Sequence, residues 1–265
     1  MNDIPPLGFG TWLIEGTDCT DGVEDALKLG YRHIDTARAY ENEREVGEGL
    51  RRSGVPRDEI WLTTKLWHEG LRPDQVREQM EKSLGELQTD HVDLLLIHWP
   101  NDDVPLAETL GAMAALRDEG KARTIGVSNF TSAQVREAAQ VEPIHTNQVE
   151  YHAYLGQEAV LGACREHEVI VTAYSPFAHG KLLKDPVLEE IAAARGATTA
   201  QIALRWLLDQ PGVIAVPKAA SHENRVKNLA ALELDPLSDE ERRRIDDLPK
   251  NRRVIDPGWA PRWDD

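Results

Sequence analysis

Cysteine is nearly absent: Cys19 and Cys164 are the only two in 265 residues, and they stand far apart. That excludes a disulfide framework and a CxxC metal knuckle, and it reads as reduced thiols in a cytoplasmic protein. Positive charge is scarce as well. Thirty Lys and Arg face 46 Asp and Glu, for a net charge of −16. Phosphate contacts need clustered cations, so nucleic acid and anionic membrane surfaces are poor partners. The acidic balance fits a soluble protein, with adaptation to a salty cytoplasm as the sharper reading. Long apolar runs are missing too. The longest, about Val92–Trp99, is far short of a membrane span. The start, Met1-Asn2-Asp3-Ile4-Pro5-Pro6, lacks the basic-then-apolar order of a signal peptide. No low-complexity stretch or linker divides the chain, so residues 1–265 read as one domain of a size that suits an α/β barrel.

What is present is alternation. Short apolar runs predict strands over Leu7–Trp12, Arg32–Thr36, Ile60–Lys65, Val92–His98, Thr124–Asn129, Thr146–Glu150, Ile170–Ser175 and Val213–Lys218. Amphipathic segments between them predict helices over Asp21–Leu29, Glu43–Arg52, Asp74–Leu87, Leu106–Glu119, Ser132–Gln140, Glu158–His167 and Ala200–Asp209. Thr131-Ser132 and Arg72-Pro73-Asp74 are helix-start signals. Short strand–helix–strand links imply right-handed parallel crossovers, and eight such units favour a closed (β/α)₈ TIM barrel over an open sheet. The stretch from Pro257 to Asp265, with Trp259 and Trp263, lies outside the repeat as a short C-terminal tail.

Barrel active sites gather at the C-terminal ends of strands. Here those ends carry Asp35, Lys65, His98, Ser128-Asn129, Gln148-Val149-Glu150, Tyr174-Ser175 and Lys218. Strand alternation puts His33 with Asp35, Thr63 with Lys65, and Leu94 and Leu96 with His98. If those faces point inward, a carboxylate, an amine and an imidazole meet at one height, which is costly without pairing or function. Each alone reads as a structural ion pair or a loop residue; together, on three consecutive strands, they read as a site. Tyr40, five residues past Asp35, can reach the same spot. An ordinary phenol, pKa about 10, is a poor acid at neutral pH. A neighbouring Lys65 ammonium, anchored by Asp35, is expected to lower that value, while His98 orients a substrate oxygen. These are the parts for carbonyl reduction. A metal-dependent barrel hydrolase is disfavoured, because no H-x-H follows the first strand and His98 is the one strand-end His in reach; no metal is expected.

At these residues the sequence resembles the aldo-keto reductase family. Gly30-Tyr31-Arg32-His33-Ile34-Asp35-Thr36-Ala37 with Tyr40, Thr63-Thr64-Lys65, Asp93-Leu94-Leu95-Leu96-Ile97-His98-Trp99-Pro100, Gly126-Val127-Ser128-Asn129-Phe130 and Asn147-Gln148-Val149-Glu150-Tyr151 carry the match. Length and the Trp259–Asp264 ending look most like its bacterial 2,5-diketo-D-gluconate reductase and methylglyoxal reductase branch. The resemblance implies Tyr40, Asp35, Lys65 and His98 as catalytic residues. It implies a nicotinamide cofactor, NADP(H) with NAD(H) as a second choice, lying across the barrel mouth without the G-x-G-x-x-G of a Rossmann unit. Tyr174 is then expected to stack on the nicotinamide, with Ser128, Asn129 and Gln148 on its carboxamide. Thr11, Trp12, Asp35 and Ser175 are also expected at the cofactor. Lys218 falls at the 2′-phosphate with Arg225 nearby, and Asn228 at the adenine. Ala219, Asn224 and Lys227 depart from the family pattern at that end. The substrate pocket is expected to use Trp12, Trp67, His98 and Trp99, with the tail closing over it, and to take small aldehydes, ketones or dicarbonyls such as methylglyoxal or keto-sugar acids. A monomer is implied. The initial hairpin of many family members is truncated here, which bears on the plug at the barrel bottom. The alternative of another class is a nicotinamide-sensing regulatory protein on the same fold.

Overall fold

The computed structural model describes residues 4–264. Eight strands, β1 (Phe9–Gly10), β2 (His33–Asp35), β3 (Trp61–Leu66), β4 (Val92–Ile97), β5 (Ala122–Ser128), β6 (Thr146–Glu150), β7 (Ile170–Tyr174) and β8 (Val213–Ala215), lie in sequence order and pair in parallel. Bridges between Leu7 and Ala215 and between Gly10 and Lys218 close the ring, with Gly8 N donating to Ala215 O at 2.8 Å. The fold is a single-domain (β/α)₈ barrel.

Helices cover the outside: α1 (Gly16–Leu29), α2 (Glu43–Ser53), α3 (Pro73–Leu87), α4 (Leu106–Asp118), α5 (Ser132–Val141), α6 (Glu158–Glu166), α7 (Pro186–Arg195), α8 (Thr199–Leu208), α9 (His222–Leu229) and α10 (Asp239–Asp246). Their ends follow local chemistry. Thr131 caps α5 by accepting from Gln134 N, and Pro73 and Pro186 open α3 and α7, where a missing N–H costs nothing. Before β8 the sequence marks only the Ala200–Asp209 helix; α7 precedes it, started by Asp185, whose carboxylate accepts from Val187 N at 2.8 Å. The first and last strands are shorter than expected. Ile14 N turns back onto Thr11 O after β1, and Pro217 has no N–H to extend β8.

β3 and β4 are buried along their whole length, as strands covered on both faces must be. Inside the barrel, side chains stack in layers. At the bottom, Ile4, Trp61, Leu94, Leu96 and Ile214 form an apolar plug, and Trp61 stacks on His145 at 5.5 Å. Ile4 and this stack thus close the lower end of the barrel. Above them His33 meets Thr63 Oγ1 at 3.1 Å, and burial pushes its imidazole down to about 4, so it sits neutral. Gly126 lets β5 approach β6: a Cβ there would lie 2.7 Å from Thr146 O. The next layer up is polar, and it opens at the mouth.

Candidate active site

Asp35 ends β2 and Lys65 lies near the end of β3, one pleat above His33 and Thr63. Both are buried. Lys65 Nζ donates to Asp35 Oδ1 at 2.7 Å, to Thr36 O at 2.8 Å and to Tyr40 Oη at 3.3 Å. Three N–H groups thus have three acceptors, which is what an ammonium needs to stay charged away from water. Because Tyr40 Oη accepts from Lys65, its own hydrogen is free to point elsewhere. Tyr40 is held by a short 3-10 turn, Arg38–Tyr40, directly after β2. Asp35 Oδ2 accepts from Gln148 Nε2 at 2.7 Å, and Thr11 Oγ1 donates to the Asp35 carbonyl at 3.1 Å.

The phenol does not behave as the sequence led us to expect. Burial, and then the Asp35 carboxylate, push the Tyr40 hydroxyl well above the usual tyrosine range. Burial likewise holds the Lys65 ammonium below the usual lysine range despite Asp35, and His98 well below the usual imidazole range. Desolvation outweighs the attraction of one ammonium that is already paired. At neutral pH Tyr40 is therefore a phenol and His98 a neutral imidazole.

His98 directly follows β4 and presents its ring edge-on to Tyr40, 5.6 Å between centroids, and to Trp67, 5.4 Å. Its Nδ1 is buried without a hydrogen-bond partner among the described residues. A cavity of about 620 Å³ opens here. At one end its walls are Tyr40, Trp67, His98 and Trp99, with Trp259 from the tail. Trp259 stacks on His68 at 5.5 Å, and Trp263 packs against Trp99 at 6.0 Å, so the tail closes over this end. Val254, Ile255, Asp256 and Pro257 also line the cavity, and nothing in their sequence signals it.

The remaining wall is built from the ends of β5, β6 and β7. Ser128 Oγ donates to Gln148 O at 2.8 Å, Asn129 Nδ2 to His98 O at 2.9 Å, and Tyr174 Oη to Asn129 Oδ1 at 2.7 Å. Asn129, Ser175, Ala178 and His179 all have left-handed backbones (φ 62°, 49°, 47° and 52°), a concentration of strain typical of functional loops. Trp12 reaches across to His179 at 6.0 Å. Lys218 is the one lysine or arginine among the described residues lining the cavity, and its Nζ donates to Leu13 O at 3.0 Å.

Three expected cofactor contacts do not line this cavity: Thr11, Arg225 and Asn228 are all buried. Arg225 gives Nε to Asp25 at 2.6 Å and Nη1 to the Ala219 and Ala220 carbonyls at 3.0 Å each, so most of its donors are spent inside the fold. Asn42 was missed by the sequence reading. Its amide donates to Thr11 O and Ile14 O at 2.9 Å each and accepts from Thr36 Oγ1 at 3.0 Å, tying the loop after β1 to the end of β2. Thr11 and Ile14 are distant from it in sequence, so no local signal marks it.

Residues 6–250 match the model of the aldo/keto reductase family. The chain belongs to the aldo/keto reductase family. It is an oxidoreductase of that family, and its similarity to individual members runs nearly end to end. It is 41% identical over 267 residues to methylglyoxal reductase DkgB of Escherichia coli O157:H7, covering 98% of this chain and 99% of that one. A crystal structure provisionally named 2,5-diketo-D-gluconic acid reductase B superposes with a TM-score of 0.96 at 46% identity, covering 99% of this chain and 94% of that chain. An aldo-keto reductase of Bombyx mori solved in complex with NADP gives 0.89 at 34% identity, over 96% and 92% of the two chains. This aldo/keto reductase therefore has the family and branch that its motifs suggest.

Proposed function

We propose that this aldo/keto reductase reduces small aldehydes, ketones and dicarbonyls such as methylglyoxal, with NADPH as hydride source and Tyr40 as general acid. The observation that carries the reading is the Asp35–Lys65–Tyr40 chain, 2.7 Å and 3.3 Å in its two links, beside a neutral His98 under tryptophan walls. A dinucleotide fits the cavity. The Tyr174 ring, the polar groups of Ser128, Asn129 and Gln148, and the left-handed loop after Ser175 offer a face, hydrogen bonds and close backbone approach. When bound there, the cofactor supplies the hydride.

The chain's own residues supply the rest. His98, with Nδ1 unpartnered, offers Nε2–H to the substrate oxygen and fixes its direction. As negative charge develops on that oxygen, it becomes a stronger base than any phenolate, so even a raised phenol gives up its proton. Lys65 then stabilises the phenolate it already touches, and Asp35 keeps Lys65 charged and in place. The tryptophans exclude water and accept small apolar carbonyls. Lys218 is the cation assigned to a 2′-phosphate, and Arg225 acts below the surface by shaping the loop that carries it.

The test is a panel of carbonyls with NADPH and NADH in parallel, on the native chain and Tyr40→Phe. We expect NADPH oxidation with methylglyoxal, a loss of about 10²–10⁴ in kcat for the variant, and unchanged cofactor binding by fluorescence titration. A variant that still turns over near the native rate would remove Tyr40 from its role. A native chain that binds NADPH and oxidises it with no carbonyl would favour the regulatory binding protein instead.

A further inference from the structure

One buried charge at the cavity rim has no part in the chemistry above. Glu150 ends β6, two residues past Gln148, and its side chain is fully buried. A carboxylate there is costly unless donors surround it. Three do. Oε1 accepts from His152 Nε2 at 2.9 Å and from Val254 N at 2.8 Å, and Oε2 accepts from Ile255 N at 2.8 Å. The Tyr154 N–H faces His152 Nδ1 at 3.3 Å, so Nδ1 accepts and Nε2 carries the hydrogen that Glu150 takes.

Two of the three donors, Val254 and Ile255, belong to the segment from Lys250 onward that runs into the C-terminal tail and forms one stretch of chain with it. Before them the tail runs against the loop after β6: Asn251 bridges Leu155, Arg252 N donates to Tyr154 O at 3.0 Å, and Lys250 Nζ to Ala153 O at 2.8 Å. After them it leaves this support and crosses the mouth, where Trp259 meets Trp67 and His68. Within the span Asp256 Oδ1 accepts from Trp263 Nε1 at 2.9 Å, which ties the tail to itself; among the described residues its next hydrogen bond to the barrel comes at Asp264, whose carboxylate accepts from Ser132 N at 2.7 Å. Among the described residues, Val254 and Ile255 are thus the last to be hydrogen-bonded to the barrel before the span that carries Trp259.

We propose that Glu150 is a positioning residue: it latches the tail at Val254–Ile255 and so sets where Trp259 stands over the substrate. This rests on the reductase reading for its effect on substrate, but the latch itself does not. The geometry requires a carboxylate. Glutamine offers one accepting oxygen and turns an N–H₂ toward a backbone N–H, so at least one tail contact is lost. Because Glu150 touches neither Tyr40 nor Lys65, its loss acts through the tail on binding rather than on the proton-transfer groups.

The experiment compares the native chain, Glu150→Gln, Trp259→Ala and the double variant, by amide hydrogen exchange and by methylglyoxal kinetics. In the native chain the Val254 and Ile255 amides exchange slowly and the Gly258 amide fast. In Glu150→Gln exchange at Val254 and Ile255 rises about tenfold or more, as expected for a lost charge-assisted hydrogen bond. KM rises about fivefold with kcat within about twofold, the pattern of lost uniform binding. Added to Trp259→Ala, the substitution raises KM no further. Unprotected amides in the native chain overturn the latch, and so does unchanged exchange in a folded Glu150→Gln. A KM rise that persists in full beside Trp259→Ala, or a matching fall in kcat, overturns its action through Trp259. If the native chain reduces no carbonyl, the reductase reading fails while the exchange measurements still decide the latch.

Discussion

At the scale of single residues, the informative point is that Tyr40 is a proton store rather than an acidic phenol. Its hydroxyl is pushed up by burial and by Asp35, while Lys65 is held below the usual lysine range. On the proposed mechanism, reduction needs Tyr40 protonated and Lys65 charged, so raising the pH should remove activity first through Lys65 and then through Tyr40. His98 is held well below the usual imidazole range by burial, so it is neutral at neutral pH and adds no transition there. We therefore expect kcat/KM for carbonyl reduction to be level through neutrality and to fall only on the alkaline side, beginning below the ordinary lysine pKa of about 10.4. A midpoint between pH 6 and 7 would instead mean that a charged His98 is required. Asp35, Lys65 and His98 were legible in the sequence because strand alternation is local: each sits one pleat beyond a residue of the same inward face. The direction of the Tyr40 shift was not legible. It depends on how much water the folded walls remove, and Trp67 and Trp259 come from distant segments.

At the scale of elements, strands with continuous burial were found almost to the residue, as β3, β4 and β6 show, whereas β1 and β8 shortened where a turn or proline intervened. The cofactor end shows what an element adds to a motif. α9 carries Arg225, expected near the 2′-phosphate, but turns it inward onto Asp25 of α1 at 2.6 Å. Lys218, just past β8, stays exposed, and among the described residues its ammonium is held by Leu13 O alone. If Lys218 meets the 2′-phosphate as proposed, its replacement should act on that group alone. Lys218→Ala is expected to weaken NADPH binding by about tenfold, close to 1.4 kcal/mol, and to leave NADH binding unchanged. Fluorescence titration of both cofactors checks this. Equal losses for the two would show that Lys218 holds the shared part of the dinucleotide and not the extra phosphate.

At the scale of the whole molecule, the excess of 16 acidic side chains sets the response to salt. Surface pairs such as Arg77–Glu119 at 2.5 Å and Arg136–Glu166 at 2.8 Å are exposed, and each contributes little to stability. Salt weakens these pairs and also screens the net repulsion, so the two effects oppose. With so many carboxylates left over, repulsion is the larger: the Debye length falls from about 30 Å at 0.01 M to about 3 Å at 1 M, below the spacing of most surface charges. We expect Tm by calorimetry to rise by about 2–6 °C over that range, equivalent to roughly 1–2 kcal/mol for a chain of this size. Binding of a phosphate through Lys218 has the opposite sign, since screening weakens a fixed attraction at an exposed cation. Salt should therefore raise Tm and raise the NADPH dissociation constant in the same samples. A Tm that falls with salt would mean that the ion pairs outweigh the repulsion, and that the acidic surface is no adaptation to a salty cytoplasm.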